Sequence, residues 1–534
     1  MLRIMNIRTA APLTRSLASL AAKKLRCQEA AVQAVTVVRR SVDARRKPRV
    51  VLVFTLDVEV VKEGDVLRRC KNDKDIRQLK ALPALSIVHG SGKLRCRPIV
   101  VGTGPAGLAA ALVLAEEGYA PLVLERGYDV DSRSLHVKEF WEKGLFRSDS
   151  NVQFGEGGAG TFSDGKLTTR VNHLLLPRVL DAFVEAGAPS EIRYAYNPHI
   201  GTDILRGVVR NMRKKIERLG GSVRFCACVT GMERKKDGAV QAVIVNGTER
   251  IETDVLLLGI GHSARDTFYM LRDNDVRLTP KDFAIGVRIE HGQDWLDRTQ
   301  YGSSAADLGL EPSDYALVYH GADRRSCYSF CMCPGGTVVA AASEKGMVVT
   351  NGMSVYRRDS GIANSALVVN VTAADLGSAS PLAGIEFQRH YERLAYEAGG
   401  GNYFAPAQTV GDFLNRNTAG LTKGPVSYKP GVVWADLHDV LPRFVTTTLA
   451  EALPYFGRKI RGFDDNHVVM TGVETRTSSP VRISRGEDRQ ALETPGLYPI
   501  GEGAGYAGGI MSAFLDGMES ALQIIELYQP LEVL

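Results

Sequence analysis

Runs and alternations of apolar residues divide the chain before any motif is considered. Residues 34–39 and 49–61 alternate and are rich in Val, which predicts two strands, Ala34–Arg39 and Arg49–Val61, joined by the polar turn Ser41–Pro48. Leu13, Leu17, Leu20 and Leu25 share one side of an amphipathic helix over Pro12–Leu25, and a second helix is expected near Asp73–Leu82. These elements form a small α/β module, residues 1–93, whose end is marked by Gly90, Gly92 and Pro98. Residues 97–127 then read strand, glycine turn, helix, strand. Residues 170–190 and 200–219 read as helices. Val223–Val229 and Ala239–Val245 read as strands of a meander with Asp237–Gly238 as the turn, and Asp254–Gly259 is a short apolar strand.

The pattern changes over residues 280–460, where short β alternations recur at Phe283–Glu290, Ala316–Tyr319, Thr337–Ala342 and Ala366–Val371, with one helix, Gly384–Ala398. Near Val468 the chain returns to the strand–turn–helix pattern of residues 97–127 and closes with a helix over Gly509–Leu527. The expected fold is α/β: a discontinuous Rossmann-type nucleotide-binding domain (94–275 and 462–534), an inserted β-rich α+β domain (276–461) that takes the substrate, and the small N-terminal α/β domain. A chain of 534 residues is long enough for several such cores. No apolar run reaches the roughly 18–20 residues of a membrane helix, so no membrane association is expected.

Charge sharpens the division. Residues 1–97 hold 22 Lys/Arg against 8 Asp/Glu, a net of +14, while the whole chain carries +6. A basic module either docks on the acidic remainder or attracts an anionic partner such as nucleic acid, and docking is the simpler expectation. No acidic residue precedes Glu29, so the N-terminus reads either as an amphipathic helix or as an organelle-targeting peptide. The eight cysteines include no CxxC pair, which points to a reduced, cytoplasmic setting. No metal-ligand cluster emerges. Cys226 and Cys228 read as strand core.

The first chemical motif is Gly102–Thr103–Gly104–Pro105–Ala106–Gly107, between the apolar strand Ile99–Val101 and an Ala-rich helix. Gly102 permits the tight turn, Gly104 a close approach of pyrophosphate, and Gly107 close helix–strand packing. Free N–H groups at the helix start then face the phosphates. The next strand ends in Glu125, followed by Arg126, at the distance from the turn at which an acid meets the ribose hydroxyls. This motif alone does not separate FAD from NAD. A second glycine-dense strand–helix turn, Gly501–Glu502–Gly503 through Gly508–Gly509–Ile510, lies some four hundred residues later. The pair resembles two-domain FAD proteins, where such a turn holds ribitol and isoalloxazine and an acid, usually Asp, meets a ribitol hydroxyl. Glu502 departs from that pattern. Gly259–Ile260–Gly261–His262, after the apolar strand, adds a further small-residue turn beside the cofactor, and Val229 stands where such proteins contact adenine through backbone.

The chain also resembles the uncharacterised FAD-dependent dehydrogenase family of bacteria, sometimes labelled NAD-utilising dehydrogenases, with a glutathione-reductase-type FAD domain. The resemblance rests on segments 40–45, 154–167, 328–336, 350–354 and 472–480. It implies FAD and a redox role and supplies no substrate. Within 154–167, Gly157, Gly158, Thr161 and Lys166 are candidates to wrap the pyrophosphate and to bring an ammonium near the flavin, the alternative being a surface loop. Period-two alternation would put the sulfurs of Cys331 and Cys333 on one side, either beside the flavin in thiol chemistry or as small buried apolar groups. His262 is a candidate proton donor or a packing histidine. Glu474 and Arg476 either bind an anionic substrate, orient the flavin or form a structural ion pair. The resulting expectation is a flavin-dependent oxidoreductase that transfers hydride between FAD and an organic substrate. With no second GxGxxG unit, NAD(P)H would visit only transiently, or a redox partner would deliver electrons. The alternatives are a flavoprotein acting on RNA, a flavin monooxygenase and a non-catalytic redox sensor.

Overall fold

The computed structural model describes residues 1–79, 87–169, 171–322 and 324–531. The chain is mixed α/β and divides into two compact units.

One unit comprises Met1–Ser86 together with Pro189–His199 and Gly292–Ser313. The two later segments carry no composition shift, and the expected boundary at residue 93 did not include them. Its four-stranded sheet is ordered Val32–Arg46, Arg49–Val60, Leu2–Ala10, Ile76–Gln78. Leu52, Phe54, Leu56 and Val58 point inward from the second strand with strict alternation. They meet Leu20, Ala21 and Leu25 of the helix Leu17–Leu25. That helix starts later than expected: Ser16 caps it by accepting from the Ser19 N–H at 3.0 Å, and Leu13 stays exposed. The helix expected over Asp73–Leu82 is not formed in its described part. Ile76–Gln78 instead pairs antiparallel with Leu2–Ile4, where an open sheet edge outcompetes local propensity, and residues 80–82 lie outside the described residues. Part of the positive charge is paired locally: Arg3 with Asp57, Arg8 and Arg45 with Asp43, Lys24 with Asp73 and Asp75.

The second unit holds two main sheets. A five-stranded parallel sheet is ordered Leu497–Pro499, Leu256–Leu258, Ile99–Val101, Leu122–Leu124, Ser222–Arg224. Its strands Ile99–Val101 and Leu256–Leu258 are buried on both faces, as the interior of a parallel sheet requires. The expected strand Val223–Val229 is in fact two. Ser222–Arg224 ends the parallel sheet, the chain breaks at Cys226 (φ +53), and Val229–Arg234 opens a three-stranded meander with Val240–Val245 and Glu249–Glu252. Cys226 is therefore exposed and Cys228 half-buried rather than strand core.

A seven-stranded sheet is ordered Val318–His320, Ser326–Cys333, Ile362–Val371, Phe283–Gly292, Val469–Glu474, Ala405–Thr409, Val432–Trp434. Its fifth strand comes from beyond residue 461, so this layer takes chain from both sides of the expected boundary. Among the described residues no helix is long and apolar enough to cross a membrane.

Candidate functional site

Helix Pro105–Glu116 begins directly after the strand Ile99–Val101, with Pro105 in its first turn and Gly104 at its N-cap. The turn tolerates no side chain at two positions. A Cβ on Gly102 (φ +92) would lie 2.3 Å from the Gly259 carbonyl oxygen, and one on Gly107 only 1.9 Å from the Gly102 carbonyl oxygen. Helix Ile510–Leu527 crosses the first helix equally closely, since a Cβ on Gly517 would meet the Ala106 carbonyl oxygen at 2.1 Å. Both helices thus bring their N-termini to one cavity of about 380 Å³, within the range of small-molecule and cofactor sites.

The cavity collects most of the residues singled out from the sequence. Gly102, Gly104, Pro105, Ala106, Glu125, Arg126, Gly158, Lys166, Val229, Gly261, His262, Cys331, Gly501, Glu502, Gly508, Gly509 and Ile510 all line it. Four others lie behind its wall. Gly107 is sealed under the turn, and Gly157 lies against the Thr161 hydroxyl, where a Cβ would come within 2.0 Å. Thr161 is itself buried, its hydroxyl donating to the Glu156 carbonyl, and Cys333 is fully buried under the strand end. Gly261, Gly508 and Gly509 have no atom within 4 Å of where a side chain would start, so the wall there is bare backbone.

Glu125 is 4% exposed and its carboxylate is fully engaged by the chain. Oε2 accepts from the Thr103 N–H (2.9 Å) and hydroxyl (2.6 Å); Oε1 accepts from the Gly127 (2.9 Å) and Gly155 (3.1 Å) N–H groups. The residue expected to meet a ribose therefore ties three wall segments together. Arg126 pairs with Asp266 and lies 4.4 Å over the Phe154 ring. The segment leading into the loop Gly155–Lys166 is folded around Arg133, whose buried guanidinium donates to the carbonyls of Asn151, Val152, Gly155 and Glu156. Asp164 accepts from Arg358 at 3.0 and 2.5 Å and pairs with Lys166 at 3.3 Å.

Opposite, Glu474 and Arg476 line the cavity but do not pair with each other. Glu474 is held by Arg288 at 2.9 Å, and Arg476 by Glu392 at 3.0 Å. Glu392 accepts five hydrogen bonds, from Arg265 (2.9 and 2.8 Å), Arg476 (3.1 and 3.0 Å) and the Thr475 hydroxyl (2.7 Å), which hold its carboxyl well below the usual range despite burial. His262 sits beside this cluster with Nδ1 2.9 Å from the Ser263 hydroxyl. Burial, then the charges of Arg476 and Arg265, push it down to about 3, so the imidazole is neutral at neutral pH rather than a cationic proton donor. Glu502 moves the other way. Burial raises it to about 7, against the pull of Lys281. Asp516, which no sequence motif marks, accepts from the Gly501 N–H at 2.6 Å and pairs with Arg485, fixing the start of the second glycine turn.

The arrangement suits a phosphate-bearing, flat-ringed cofactor. Helix N-termini offer N–H groups to an anion, and bare glycines leave room against the backbone.

Residues 282–477 match the family described as FAD-dependent protein, C-terminal domain-like, and residues 1–59 match a domain of unknown function. An uncharacterised protein of Clostridium beijerinckii is 48% identical over 508 residues, covering 95% of each chain. Solved structures with a similar course include CtdE in complex with FAD (13% identity, 79% of this chain and 83% of that one, TM-score 0.30). An L-amino acid deaminase from Proteus myxofaciens shares 11% identity over 82% and 92% of the two chains at TM-score 0.33. A geranylgeranyl bacteriochlorophyll reductase-like protein from Thermoplasma acidophilum shares 13% over 81% and 79% at 0.35. The family match and the cavity's residues support FAD as the cofactor. The chain belongs to the family of the Clostridium beijerinckii protein, with residues 282–477 similar to the FAD-dependent protein, C-terminal domain-like family.

Proposed function

We propose that the chain is an FAD-dependent oxidoreductase that moves a hydride between bound FAD and a small organic substrate held beneath the seven-stranded sheet. One observation carries this reading. Three glycine-rich segments far apart in sequence, 102–107, 155–166 and 501–510, line a single cavity together with Lys166, His262, Glu474, Arg476 and Glu502. When bound, FAD supplies two-electron chemistry. The chain's own residues do the rest. The N-termini at Pro105 and Ile510 orient anionic groups, and the glycines admit the cofactor against backbone. Glu502, with its carboxyl near neutrality, holds or releases a proton at its carboxylate oxygens. Neutral His262 offers a ring nitrogen without charge. NAD(P)H visits the same cavity transiently as reductant, or a redox partner delivers the electrons.

The test is direct. The purified protein should show flavin absorbance or take up FAD in a one-to-one titration, and should bleach under a nicotinamide or protein reductant. A chain that takes up no FAD refutes the reading. Stopped-flow reoxidation with and without organic acceptors then separates a dehydrogenase from a monooxygenase.

A further inference from the structure

The strand Ser326–Cys333 carries three cysteines in unlike surroundings. Cys327 pairs regularly with Val369, is fully buried, and has its thiol pushed far up by burial alone. Between Phe330 and Cys333 the register shifts, and Cys331 takes a left-handed conformation, φ +44. A non-glycine residue rarely adopts that backbone, and such strain collects at functional sites. The bulge turns Cys331 into the cavity wall beside Phe330, Lys166, Asn351 and Glu502, while Cys333 lies fully buried behind it. The Cys333 thiol donates to the Cys331 carbonyl at 3.3 Å, which folds it back onto the neighbouring cysteine. That carbonyl is fixed from the other side by Arg288 at 3.0 Å.

The charges around the pair favour one thiolate, at Cys331. The adjacent Cys333 thiol, the Lys166 ammonium and the Arg288 guanidinium all lower its thiol against burial. The acids nearby are already engaged, Asp164 with Arg358 and Glu474 with Arg288. Glu502 is raised toward its neutral form. The neighbouring Cys331 and burial push the Cys333 thiol up, against the pull of Lys166, so the pair consists of one nucleophilic sulfur at the cavity and one protonated sulfur behind it.

We propose that Cys331 and Cys333 form a redox-active dithiol–disulfide pair that exchanges two electrons with FAD bound in the cavity. The inference rests on the flavoprotein reading above. Oxidation joins the two sulfurs in an Sγ–Sγ bond and breaks the Cys333 S–H bond. Two electrons and that proton pass to bound FAD. The reverse step returns them and cleaves the Sγ–Sγ bond, leaving a Cys331 thiolate and a Cys333 thiol.

The test uses the full chain. In the reduced protein without added FAD, iodoacetamide at neutral pH should label Cys331 at least about tenfold faster than Cys327. Mild oxidation with diamide should remove two hydrogen masses from the peptide holding Cys331 and Cys333. Cys331→Ser and Cys333→Ser should each abolish that loss. In the FAD-loaded protein, reduced Cys333→Ser should keep a long-wavelength thiolate–flavin absorbance that Cys331→Ser lacks. Normal FAD uptake with no diamide-induced mass loss and identical spectra in both variants would overturn the pair while leaving the flavoprotein reading intact. Failure to take up FAD at all would overturn both.

Discussion

Glu125 offers the sharpest test of how the cavity is held. Its carboxylate accepts from four donors on three separate wall segments: Thr103 twice, Gly127 and Gly155. Glu125→Gln keeps the shape but replaces one acceptor oxygen with an NH2 group. With the amide nitrogen turned to Thr103, the hydroxyl rotates to accept from it and only the Thr103 N–H is left facing a donor. A hydrogen bond to a charged group contributes about 1.5–3 kcal/mol, so this cheaper orientation still costs about that much. That cost divides between the fold of the glycine turn and the affinity for FAD. Half of it in binding weakens FAD about three- to tenfold, since about 1.4 kcal/mol is a factor of ten. Titration of the variant by flavin fluorescence quenching reads the affinity. Amide hydrogen exchange at Thr103, Gly127 and Gly155 reads the loosening directly. Wild-type affinity together with unchanged protection at all three amides would refute the clamp.

Other parts of the site make separate predictions. Glu392→Gln leaves Arg265 and Arg476 buried with less countercharge; breaking such a pair costs about 3–5 kcal/mol, read as a lower urea midpoint for the transition that reports on the cavity. Gly107→Ala drives a methyl group onto the Gly102 carbonyl, 1.9 Å away, and should yield protein without flavin, measured as the absorbance ratio after purification. Glu502 titrates at about 7 in the folded chain against an ordinary 4.5. Between those values the folded state holds the extra proton, so stability from this group is full below about pH 4.5 and falls as pH rises toward 7, by about 3 kcal/mol. Glu502→Gln should flatten that part of the stability–pH profile of the FAD-free protein; a profile parallel to wild type would count against the shift.

What the sequence revealed was local. Gly102, Gly104 and Gly107 are legible because one turn fixes all three, and Gly501–Ile510 because glycine density at a strand–helix junction is uncommon. The lining of one cavity by these turns was expected from their order along the chain. The charged wall was not legible. Arg265, Glu392 and Arg476 meet across separations of 127 and 84 residues, and no short-range pattern marks such partners. The expected helix at Asp73–Leu82 failed because the free edge of Leu2–Ala10 offered strand pairing that local periodicity does not encode. The left-handed break at Cys226 and the bulge at Cys331 escaped for a related reason, since period-two reasoning assumes a regular strand.

The parallel sheet sets a timetable for biosynthesis. Leu256–Leu258 pairs on one side with Ile99–Val101, made before it, and on the other with Leu497–Pro499, made well after both. Until that third strand emerges, the sheet carries an open edge, and the wall formed by Gly501–Ile510 does not exist. A nascent chain stalled or cleaved before Leu497 therefore has a dinucleotide turn without a closed cradle around it. Cofactor capture therefore waits for Leu497–Pro499 and the turn after it, and chains lacking them are left both flavin-free and prone to pair through that edge.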